Sequence, residues 1–376
     1  MKYQYPILGV IGVILVVTVF FVSQQTILQD TNDDIIKNVT PETNYDKSID
    51  TSKIQTTDGI KHIIPLDQIK SGGPPKDGIP SIDNPKFVNS FDAEFVSDDD
   101  LVIGVNINGE QKAYPLFIMV WHEIVNDSVG GIPVAVTYCP LCFTNQVFDR
   151  NVDGKITEFG TSGKLYNSNL VMYDRNTGSQ WSQALGIAIT GEMTGHTLKR
   201  IPFDVARWSD WKSLYPDTLV LTTDTGFFRA YGVDPYGDYY IDSRIIFPVE
   251  NNDDRLFLKE KILGFENGVY KAYKLSDVEQ KKVINDNIGD KKIVLVSLYP
   301  EMARAFNRII DDKVFDFEYS DGKIIDVQTK SIWNFEGESI EGQLKGKKLQ
   351  REVYDPGFWF EWVAFHPDTL LYLEKN

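Results

Sequence analysis

Short apolar runs separated by turn signals make up most of the chain. Hydrophobic and polar positions alternate, with the two-residue period of a half-buried strand, at 100–106, 132–138 and 291–299. Large apolar residues at helical spacing occur only in short stretches, at 116–126, 203–215 and 358–366. The pattern predicts an α+β fold that is β-rich and has few, short helices.

One apolar run differs from the others because it is long and unbroken. Residues 5–22 carry no charge, and at ~1.5 Å per helical residue the run is long enough to span a bilayer. Lys2 precedes it and acidic residues follow it, so the positive-inside rule places the amino terminus in the cytoplasm. We therefore expect a single-pass membrane protein with an N-terminal transmembrane helix and an extracytoplasmic C-terminal domain. A cleaved signal peptide is the alternative, although no small-x-small cleavage site follows the run.

The second half of the chain repeats the first. The motifs in 112–116, 186–200 and 208–219 recur at 271–275, 337–351 and 359–370. The repeated segment has the length of a domain and is too long for a solenoid unit, so we predict two pseudo-equivalent halves packed together. The predicted organisation is a membrane anchor at 1–23, a flexible polar tether at 24–57, a first repeat at 58–232 and a second repeat at 233–376.

The net charge of the chain limits the classes of partner that it can bind. There are 54 acidic and 38 basic side chains, which gives a formal net charge of −16. A nucleic-acid partner needs a basic face and is therefore not expected. The membrane, reached through the N-terminal helix, is the one partner that the sequence predicts. A small ligand or a protein partner stays open.

The two cysteines of the chain are its strongest chemical signal. Cys139 and Cys142 directly follow the apolar run 132–138. A thiolate is a strong nucleophile and a soft metal ligand, so two of them in one turn indicate chemistry rather than packing. The second repeat lacks them, because alignment on the neighbouring proline places Tyr299 and Met302 opposite the cysteines. We therefore expect a site in the first repeat only.

A metal centre is the function that these residues favour most. Cys139 and Cys142 would supply two thiolates, and His122 would return to them across the following turn as a nitrogen ligand. Met172 is the candidate for the fourth position, as a thioether. This ligand set suits zinc or copper, so a transition metal is the predicted cofactor. The polar residues predicted to line a pocket beside the cysteines are Arg150, Ser162, Lys164, Tyr166, Asn167, Asn169, Asp174 and Arg175.

The block 125–191 carries the motifs of a known family. They are Thr-Tyr-Cys-Pro-Leu-Cys at 137–142, Phe-Asp-Arg at 148–150, Leu-Tyr-Asn-Ser-x-Leu-Val-Met-Tyr-Asp-Arg at 165–175 and Trp-x-Gln at 181–183. On these motifs the chain resembles the bacterial and archaeal domain-of-unknown-function family 3179. The resemblance implies an exported protein and brings no established activity. The chain departs from the family's pattern at Phe143, where members usually carry glycine.

Two other functions stay open at this point. The cysteines could form a disulfide in a non-enzymatic structural or ligand-binding module. Alternatively, Cys-Pro-Leu-Cys is similar to the loops of thiol–disulfide oxidoreductases. The context differs from a thioredoxin-like motif, because residues 143–154 predict a strand and a hairpin turn rather than a helix. The sequence does not decide whether the protein is an enzyme.

Overall fold

Antiparallel strands make up most of the protein. The structure, a computed structural model, describes residues 50–373. These residues belong to one compact unit, Ile49–Asn376. The first strand lies inside the range predicted as a flexible tether, so regular structure begins a few residues earlier than the sequence pattern indicated.

The first repeat and the short described segment before it contain seventeen strands. In chain order they are β1 Gln55–Thr57, β2 Ile60–His62, β3 Lys70–Ser71, β4 Phe87–Asn89, β5 Leu101–Ile107, β6 Glu110–Pro115, β7 Ile124–Val129, β8 Ile132–Cys139, β9 Thr144–Asp149, β10 Asn151–Val152, β11 Lys155–Ile156, β12 Phe159–Tyr166, β13 Asn169–Asp174, β14 Gln180–Ser182, β15 Ile187–Thr190, β16 Asp204–Arg207 and β17 Leu219–Leu221.

The described part of the second repeat contains fourteen strands. They are β18 Lys261–Glu266, β19 Tyr270–Lys274, β20 Val283–Ile288, β21 Lys291–Tyr299, β22 Met302–Asn307, β23 Ile309–Ile310, β24 Lys313–Val314, β25 Phe317–Ser320, β26 Lys323–Asp326, β27 Ile332–Trp333, β28 Ser339–Glu341, β29 Arg351–Glu352, β30 Asp355–Phe358 and β31 Leu370–Leu371.

The α-helices between these strands are short. Within residues 50–373 there are four, α1 Leu116–Met119, α2 Trp208–Leu214, α3 Leu275–Lys281 and α4 Trp359–Phe365, and none exceeds seven residues. The prediction of a β-rich chain is confirmed. The predicted α+β class is wrong, because helices this short are connections on a β protein and build no layer of their own.

The predicted transmembrane helix is also corrected. In the part of the chain that the structure describes, no helix is long and apolar enough to cross a membrane. The run 5–22, on which the prediction rests, lies outside the described residues. The predicted single-pass localisation and the membrane as a partner therefore have no support from the described fold.

Both repeats build their sheets in the same way. The hairpin of β5 and β6 is flanked by antiparallel β16 and parallel β17, and the hairpin of β18 and β19 is flanked in the same manner by β30 and β31. The ladder of β7, β8 and β9 corresponds to that of β20, β21 and β22, and the ladder from β12 to β15 corresponds to that from β25 to β28. The strand order thus occurs twice, whereas the exact repeat boundaries stay a prediction.

A tryptophan packs on a glycine at the same place in each repeat. A Cβ atom added to Gly104 would lie 2.3 Å from the ring of Trp211, and one added to Gly264 would lie 2.4 Å from the ring of Trp362. Each indole N–H donates to a threonine hydroxyl seven residues later, at 3.0 and 2.9 Å. Only glycine permits this approach, so the Gly–Trp pair fixes α2 and α4 on their hairpins.

Each repeat places one aspartate on the other repeat. Asp204 and Asp355 begin the equivalent strands β16 and β30, and each accepts hydrogen bonds from two side chains of the opposite repeat. These side chains are Arg304 and Arg351 at Asp204, and Gln146 and Arg200 at Asp355. A buried carboxylate is tolerated only when it is paired, so the reciprocal contacts set how the two repeats meet.

Candidate functional site

The two cysteines lie in the turn between β8 and β9. Cys139 is the last residue of β8, and the Cys142 N–H donates to the Cys139 carbonyl at 3.4 Å. A turn of this kind holds its end Cα atoms within ~7 Å, a separation that a disulfide can span. Both thiols are unbridged, and both residues are no more than 1% exposed. The pair is a buried dithiol within reach of a disulfide.

Phe143, which follows the second cysteine, has a left-handed backbone with φ 56°. Glycine adopts this conformation without steric cost, which explains why glycine suits this position. The phenylalanine ring stacks on Phe358 of the second repeat with 5.4 Å between ring centroids. Glu301 takes the same conformation in the second repeat, with φ 63°. The departure from the family's pattern thus keeps the backbone geometry and adds a contact between the repeats.

The corresponding turn of the second repeat is shorter. Four residues separate the last paired residues of β8 and β9, and two separate those of β21 and β22. When the ladders are matched through Phe148 and Phe306, Thr144 corresponds to Met302. The sequence alignment that placed Met302 opposite Cys142 is therefore wrong by two positions. The cysteines lie in a turn that is lengthened in one repeat.

A long hairpin of the first repeat reaches the dithiol. Strand β12 has eight residues and its counterpart β25 has four. The longer hairpin carries Asn169, whose Nδ2 donates to Cys142 Sγ at 3.2 Å. The same amide lies 2.8 Å from Gln183 Oε1 and 3.3 Å from Glu361 Oε1. Asn169 therefore joins the cysteine to two further polar side chains.

The second repeat closes the site with α4 and the strand before it. Glu361 of α4 is buried and meets Asn169. A Cβ atom added to Gly357 would lie 3.1 Å from Thr144 Oγ1, 3.4 Å from Glu361 Oε2 and 3.5 Å from the Cys142 carbonyl oxygen. The strand pairing places Ala206 at the equivalent position of the other repeat. Glycine therefore lets the backbone of β30 approach these three oxygen atoms closely, and a methyl group at this position would crowd Thr144 Oγ1.

The segment between β17 and β18, residues 222–260, connects the sheets of the two repeats and covers the cysteine turn. Tyr239 donates its hydroxyl to the Leu141 carbonyl at 2.8 Å and is buried. The Lys259 ammonium lies 3.4 Å from the centre of the Tyr239 ring and 2.9 Å from Asp242 Oδ1. These contacts hold the connection against the turn and remove it from solvent.

The two thiols have opposite electrostatic character. Burial raises the pKa of Cys142, but hydrogen bonds from Cys139, Thr144 and Asn169 outweigh it and hold the pKa below its usual value. Burial raises the pKa of Cys139 well above its usual value, and the hydrogen bond to Cys142 raises it further. Cys142 is therefore the more readily ionised thiol of the pair, and Cys139 is the better hydrogen-bond donor.

Two buried carboxyl groups accompany the thiolate. Burial, followed by the charge of Cys142, raises the pKa of Glu123 to about 8. The same two causes raise the pKa of Glu361 well above its usual range. Glu123 therefore holds its proton at neutral pH, and the pKa of Glu361 is shifted in the same direction. In the second repeat, lysines occupy the positions of His122 and Glu123, since α1 and α3 lead into equivalent strands.

Two polar atoms around the turn have no hydrogen-bond partner among the described residues. They are Asn145 Oδ1 and Ser168 Oγ, both in residues no more than 1% exposed. Ser168 lies beside the pair, because the Cys139 Sγ is 3.9 Å from the Ser168 carbonyl oxygen. A buried polar group without a partner costs ~1–3 kcal/mol, and a hydrogen bond to a water molecule would offset this cost.

His122 is turned towards other partners. Its Nδ1 donates to the Pro80 carbonyl at 2.7 Å, and its Nε2 accepts from the Tyr231 hydroxyl at 2.7 Å. Burial lowers the pKa of His122 to about 4, so the ring is neutral. Both ring nitrogens are thus occupied away from the cysteine turn. Among residues 50–373, no group of three or more His, Cys, Asp or Glu side chains is arranged to hold a metal ion.

Met172 lies in the core of the first repeat. It is fully buried on β13, where it pairs with Thr161 and Trp181. Alternate residues of a strand point to opposite faces, so Met172 and Asn169 project from opposite faces of β13. Asn169 projects to the cysteine, which leaves Met172 on the other face.

Three of the predicted pocket residues form hydrogen bonds or ion pairs that stabilise the fold. Arg150 donates to the carbonyl groups of Val134, Thr157 and Asp127. Asp174 accepts from the indole of Trp181 at 3.0 Å, and the second repeat has the same bond between Asp326 and Trp333. Arg175 forms a partly exposed ion pair with Asp83. A contact that occurs in both repeats belongs to the shared fold.

The remaining predicted residues lie along the β12–β13 hairpin. Ser162 donates to the Val171 carbonyl, and Lys164 is exposed. Tyr166 packs on Phe365, and burial raises its pKa to about 12. Asn167 donates to the Ala364 carbonyl at 3.2 Å and accepts from the Glu250 N–H at 3.0 Å. Of the eight predicted pocket residues, Asn169 is the one with a bond to a cysteine.

An open cleft of about 490 Å³ lies near the covered turn. Its walls are formed by Gly78, Ile79, Val120, Trp121, Phe228, Arg229, Ala230, Pro235 and Tyr236. Tyr236 belongs also to the surroundings of the dithiol, because burial and then the charges of Glu123 and the cysteines raise its pKa. The cleft therefore shares Tyr236 with the surroundings of the dithiol.

Sequence reasoning missed several residues of this site. Glu123 and Thr144 are close to the cysteines along the chain, but their residue types alone gave no signal. Gln183 belongs to the Trp-x-Gln motif at 181–183, which did not assign it to the site. Glu361 and Gly357 come from the other repeat, and only the packing of the repeats brings them to the turn. The comparison of Gly357 with Ala206 is visible in the sequence once the repeats are aligned.

The fold and the site define a duplicated β protein with a buried, one-sided dithiol. A family model described as "Protein of unknown function (DUF3179)" matches residues 76–369, well over half of the chain. The chain belongs to this family, as its motifs predict. No curated protein and no solved structure matches the chain.

Proposed function

We propose that Cys139 and Cys142 act as a redox-active dithiol in which Cys142 is the reactive thiolate. The observation that carries the proposal is the hydrogen bond from Asn169 Nδ2 to Cys142 Sγ at 3.2 Å, in a turn that keeps Cys139 alongside. A hydrogen bond to the charged form favours the thiolate, which is the nucleophile in thiol chemistry.

The neighbouring carboxyl groups supply the proton exchange. Conversion of two thiols to a disulfide releases two electrons and two protons. Glu123, with a pKa of about 8, can take up or return a proton near neutral pH. Oxidation removes the thiolate charge beside Glu123, and this change eases its ionisation.

Reversible disulfide formation tests the proposal. The full chain is equilibrated with mixtures of reduced and oxidised dithiothreitol, and the mass of the peptide containing both cysteines is measured. The expected result is loss of two hydrogens with one reduction midpoint, absent in Cys139→Ser and Cys142→Ser. A wild-type chain that keeps both thiols free under every oxidising mixture would refute the dithiol function.

The thiolate assignment has a test of its own. Asn169→Ala removes a bond to a charged group worth ~1.5 kcal/mol, so the pKa of Cys142 should rise by about one unit. Thiolate ultraviolet absorbance across pH measures this change. Asn167→Ala is the matched control, because that amide is two residues away and bonds to no sulfur. Equal pKa values of Cys142 in the two variants would show that Asn169 does not stabilise its thiolate.

Binding of copper or zinc is a second proposal, and the two sulfurs of the turn are the observation that favours it. Copper(I) is the soft ion that a pair of thiolates suits best. Titration of the reduced full chain with copper(I), compared with Cys142→Ser and His122→Ala, tests it. Weaker binding in His122→Ala would support the predicted Cys₂His set. Binding unaffected by Cys142→Ser would place the metal elsewhere.

A further inference from the structure

The side chain of Gln183 makes three hydrogen bonds next to the dithiol. The residue is fully buried. Its Nε2 donates to Thr137 Oγ1 and to the Thr144 carbonyl, both at 3.1 Å, and its Oε1 accepts from Asn169 Nδ2 at 2.8 Å. Asn169 in turn donates to Cys142 Sγ at 3.2 Å. Gln183 therefore stands one residue behind the group that bonds to the sulfur.

Backbone groups fix the direction of this chain of hydrogen bonds at both ends. A carbonyl oxygen can only accept, so the Thr144 carbonyl requires the amide nitrogen of Gln183 and turns the amide oxygen towards Asn169. At the other end, the Ala184 N–H donates to Asn169 Oδ1 at 3.0 Å. Asn169 must therefore present its nitrogen to both Gln183 and Cys142. The chain delivers a donor to the sulfur, and a thiolate can only accept.

The second repeat has apolar residues at the places of this chain. The two tryptophans that bond to an aspartate mark equivalent positions, and the residue two places later is Gln183 in the first repeat and Phe335 in the second. The matched ladders place Val296 at the position of Thr137. Both apolar residues are buried. The shared scaffold thus forms without these polar groups, whose burial is costly, so the amide serves the repeat that carries the cysteines.

We propose that Gln183 is a positioning residue of the dithiol, which holds the Asn169 amide in the orientation that donates to Cys142. The proposal rests on the redox function proposed above and adds a residue to that site. An Asn169 amide that turned over would offer its oxygen to the sulfur, and this oxygen repels a thiolate. Gln183 acts through Asn169, so its effect disappears when Asn169 has no amide.

The thiolate absorbance of the reduced full chain, measured across pH with a metal chelator and with the spectrum of Cys142→Ser subtracted, tests the proposal. Gln183→Met keeps the length of the side chain and removes the amide. The pKa of Cys142 should rise by ~0.5–1 unit, and by no more than in Asn169→Ala. Asn169→Ala combined with Gln183→Met should equal Asn169→Ala alone. An unchanged pKa in Gln183→Met, or a further rise in the combined variant, would overturn the proposal.

Two controls separate positioning from a general loss of packing. Phe335→Leu changes the equivalent buried position of the second repeat and should leave the pKa of Cys142 unchanged. Thr137→Val removes one of the two acceptors of the Gln183 amide and leaves the Thr144 carbonyl, so its effect should be smaller than that of Gln183→Met. A rise in Phe335→Leu as large as in Gln183→Met would show that packing sets the pKa, and the proposal would fail.

A second measurement needs no substitution at Gln183, in case Gln183→Met does not fold. In the isotope-labelled, reduced full chain, the side-chain amide signals of Gln183 and Asn169 should shift together as Cys142 ionises, and both shifts should vanish in Cys142→Ser. The amide of Asn167, which bonds to the Ala364 carbonyl, is the control. A Gln183 signal that does not respond to the ionisation of Cys142 would contradict the proposal.

The equilibrium with dithiothreitol distinguishes this proposal from the redox function. A chain that forms no disulfide, but whose Cys142 pKa rises in Gln183→Met, refutes the redox function and keeps the positioning of the thiolate. A chain that forms the disulfide, with a pKa that Gln183→Met leaves unchanged, refutes the positioning role alone. Where both hold, Gln183→Met should shift the equilibrium ~3–10-fold towards the disulfide at a pH above the pKa of Cys142, because the lost hydrogen bond stabilises the reduced form.

Discussion

The two repeats share a scaffold and differ in their edge strands and around the cysteine turn. Tyr114 donates to Asp127 at 2.6 Å, and Tyr273 donates to Asp286 at 2.8 Å, at equivalent places. The Gly–Trp contacts and the Asp–Trp bonds are also present twice. Such buried contacts fix the fold, because each repeat needs them to satisfy its own polar groups.

Three differences between the repeats lie around the dithiol. The first repeat has a longer cysteine turn and a longer hairpin, and the second repeat contributes glycine where the first has alanine. None of these changes disturbs the shared strand order. The site therefore combines a longer turn, a longer hairpin and a glycine with the shared scaffold, and both repeats contribute residues to it.

The largest expected effect concerns the two reciprocal aspartates. Asp204→Ala leaves the fully buried Arg304 with the partly exposed Glu336 as its one carboxylate partner and removes the carboxylate of Arg351, and it should cost ~3–5 kcal/mol of unfolding free energy. Asp355→Ala leaves a neutral Gln146 and an Arg200 that is 19% exposed, and should cost ~1–3 kcal/mol. Urea unfolding of both variants measures the difference. Equal losses would show that the repeats contribute symmetrically to their contact.

The next effect is a pH dependence that only the first repeat has. The folded-state pKa of Glu123 is raised to about 8, so its contribution to stability is complete below its unfolded value and is lost as pH rises through about 8. Glutamine keeps the neutral form. Between about pH 5 and about pH 8, Glu123→Gln should therefore gain roughly 2–4 kcal/mol of stability relative to the unsubstituted chain.

Urea unfolding at the two pH values checks this prediction. Lys282→Gln, at the equivalent left-handed position of the second repeat, is the control and should show no such gain. A difference between Glu123→Gln and the unsubstituted chain that stays constant with pH would contradict a protonated Glu123 in the folded state.

The smallest effect compares one substitution at two equivalent positions. Phe143→Gly relieves a left-handed backbone, worth ~1–2 kcal/mol, but loses a buried ring worth ~2–3 kcal/mol. We expect a net loss of ~1 kcal/mol. Glu301→Gly relieves the same conformation without losing a buried ring, so its stability should change by less than ~1 kcal/mol. Thermal unfolding compares the two, and a larger loss at Glu301 would reverse the interpretation.

Local pattern was sufficient for much of the fold. The alternation at 100–106 and 132–138 predicted strands that the structure contains as β5 and β8. The family resemblance, resting on the motifs in 137–183, is confirmed. The α+β class was wrong because the Trp-rich stretches have helical spacing over only two turns, and the neighbouring strands take up the rest of the predicted helices.

The site was predictable only in part. The sequence identified the cysteine turn and Asn169, because thiols and their neighbouring motif stand out by residue type. The sequence also predicted Arg150 and Asp174 as pocket residues, but both form hydrogen bonds that stabilise the fold. Residue type indicates what a side chain can bind, whereas strand register decides which partner it reaches.

The sequence by itself determined the duplication of motifs, the family and the confinement of the thiols to one repeat. The tertiary structure decided that the second repeat supplies Glu361 and Gly357 to the first repeat's turn, and that His122 bonds to Pro80 and Tyr231. Asn169 and Glu361 are 192 residues apart and meet because the two repeats pack together. No local periodicity in the sequence encodes this packing. Burial raises the pKa of both thiols, and hydrogen bonds from residues that the fold brings to Cys142 lower its pKa again.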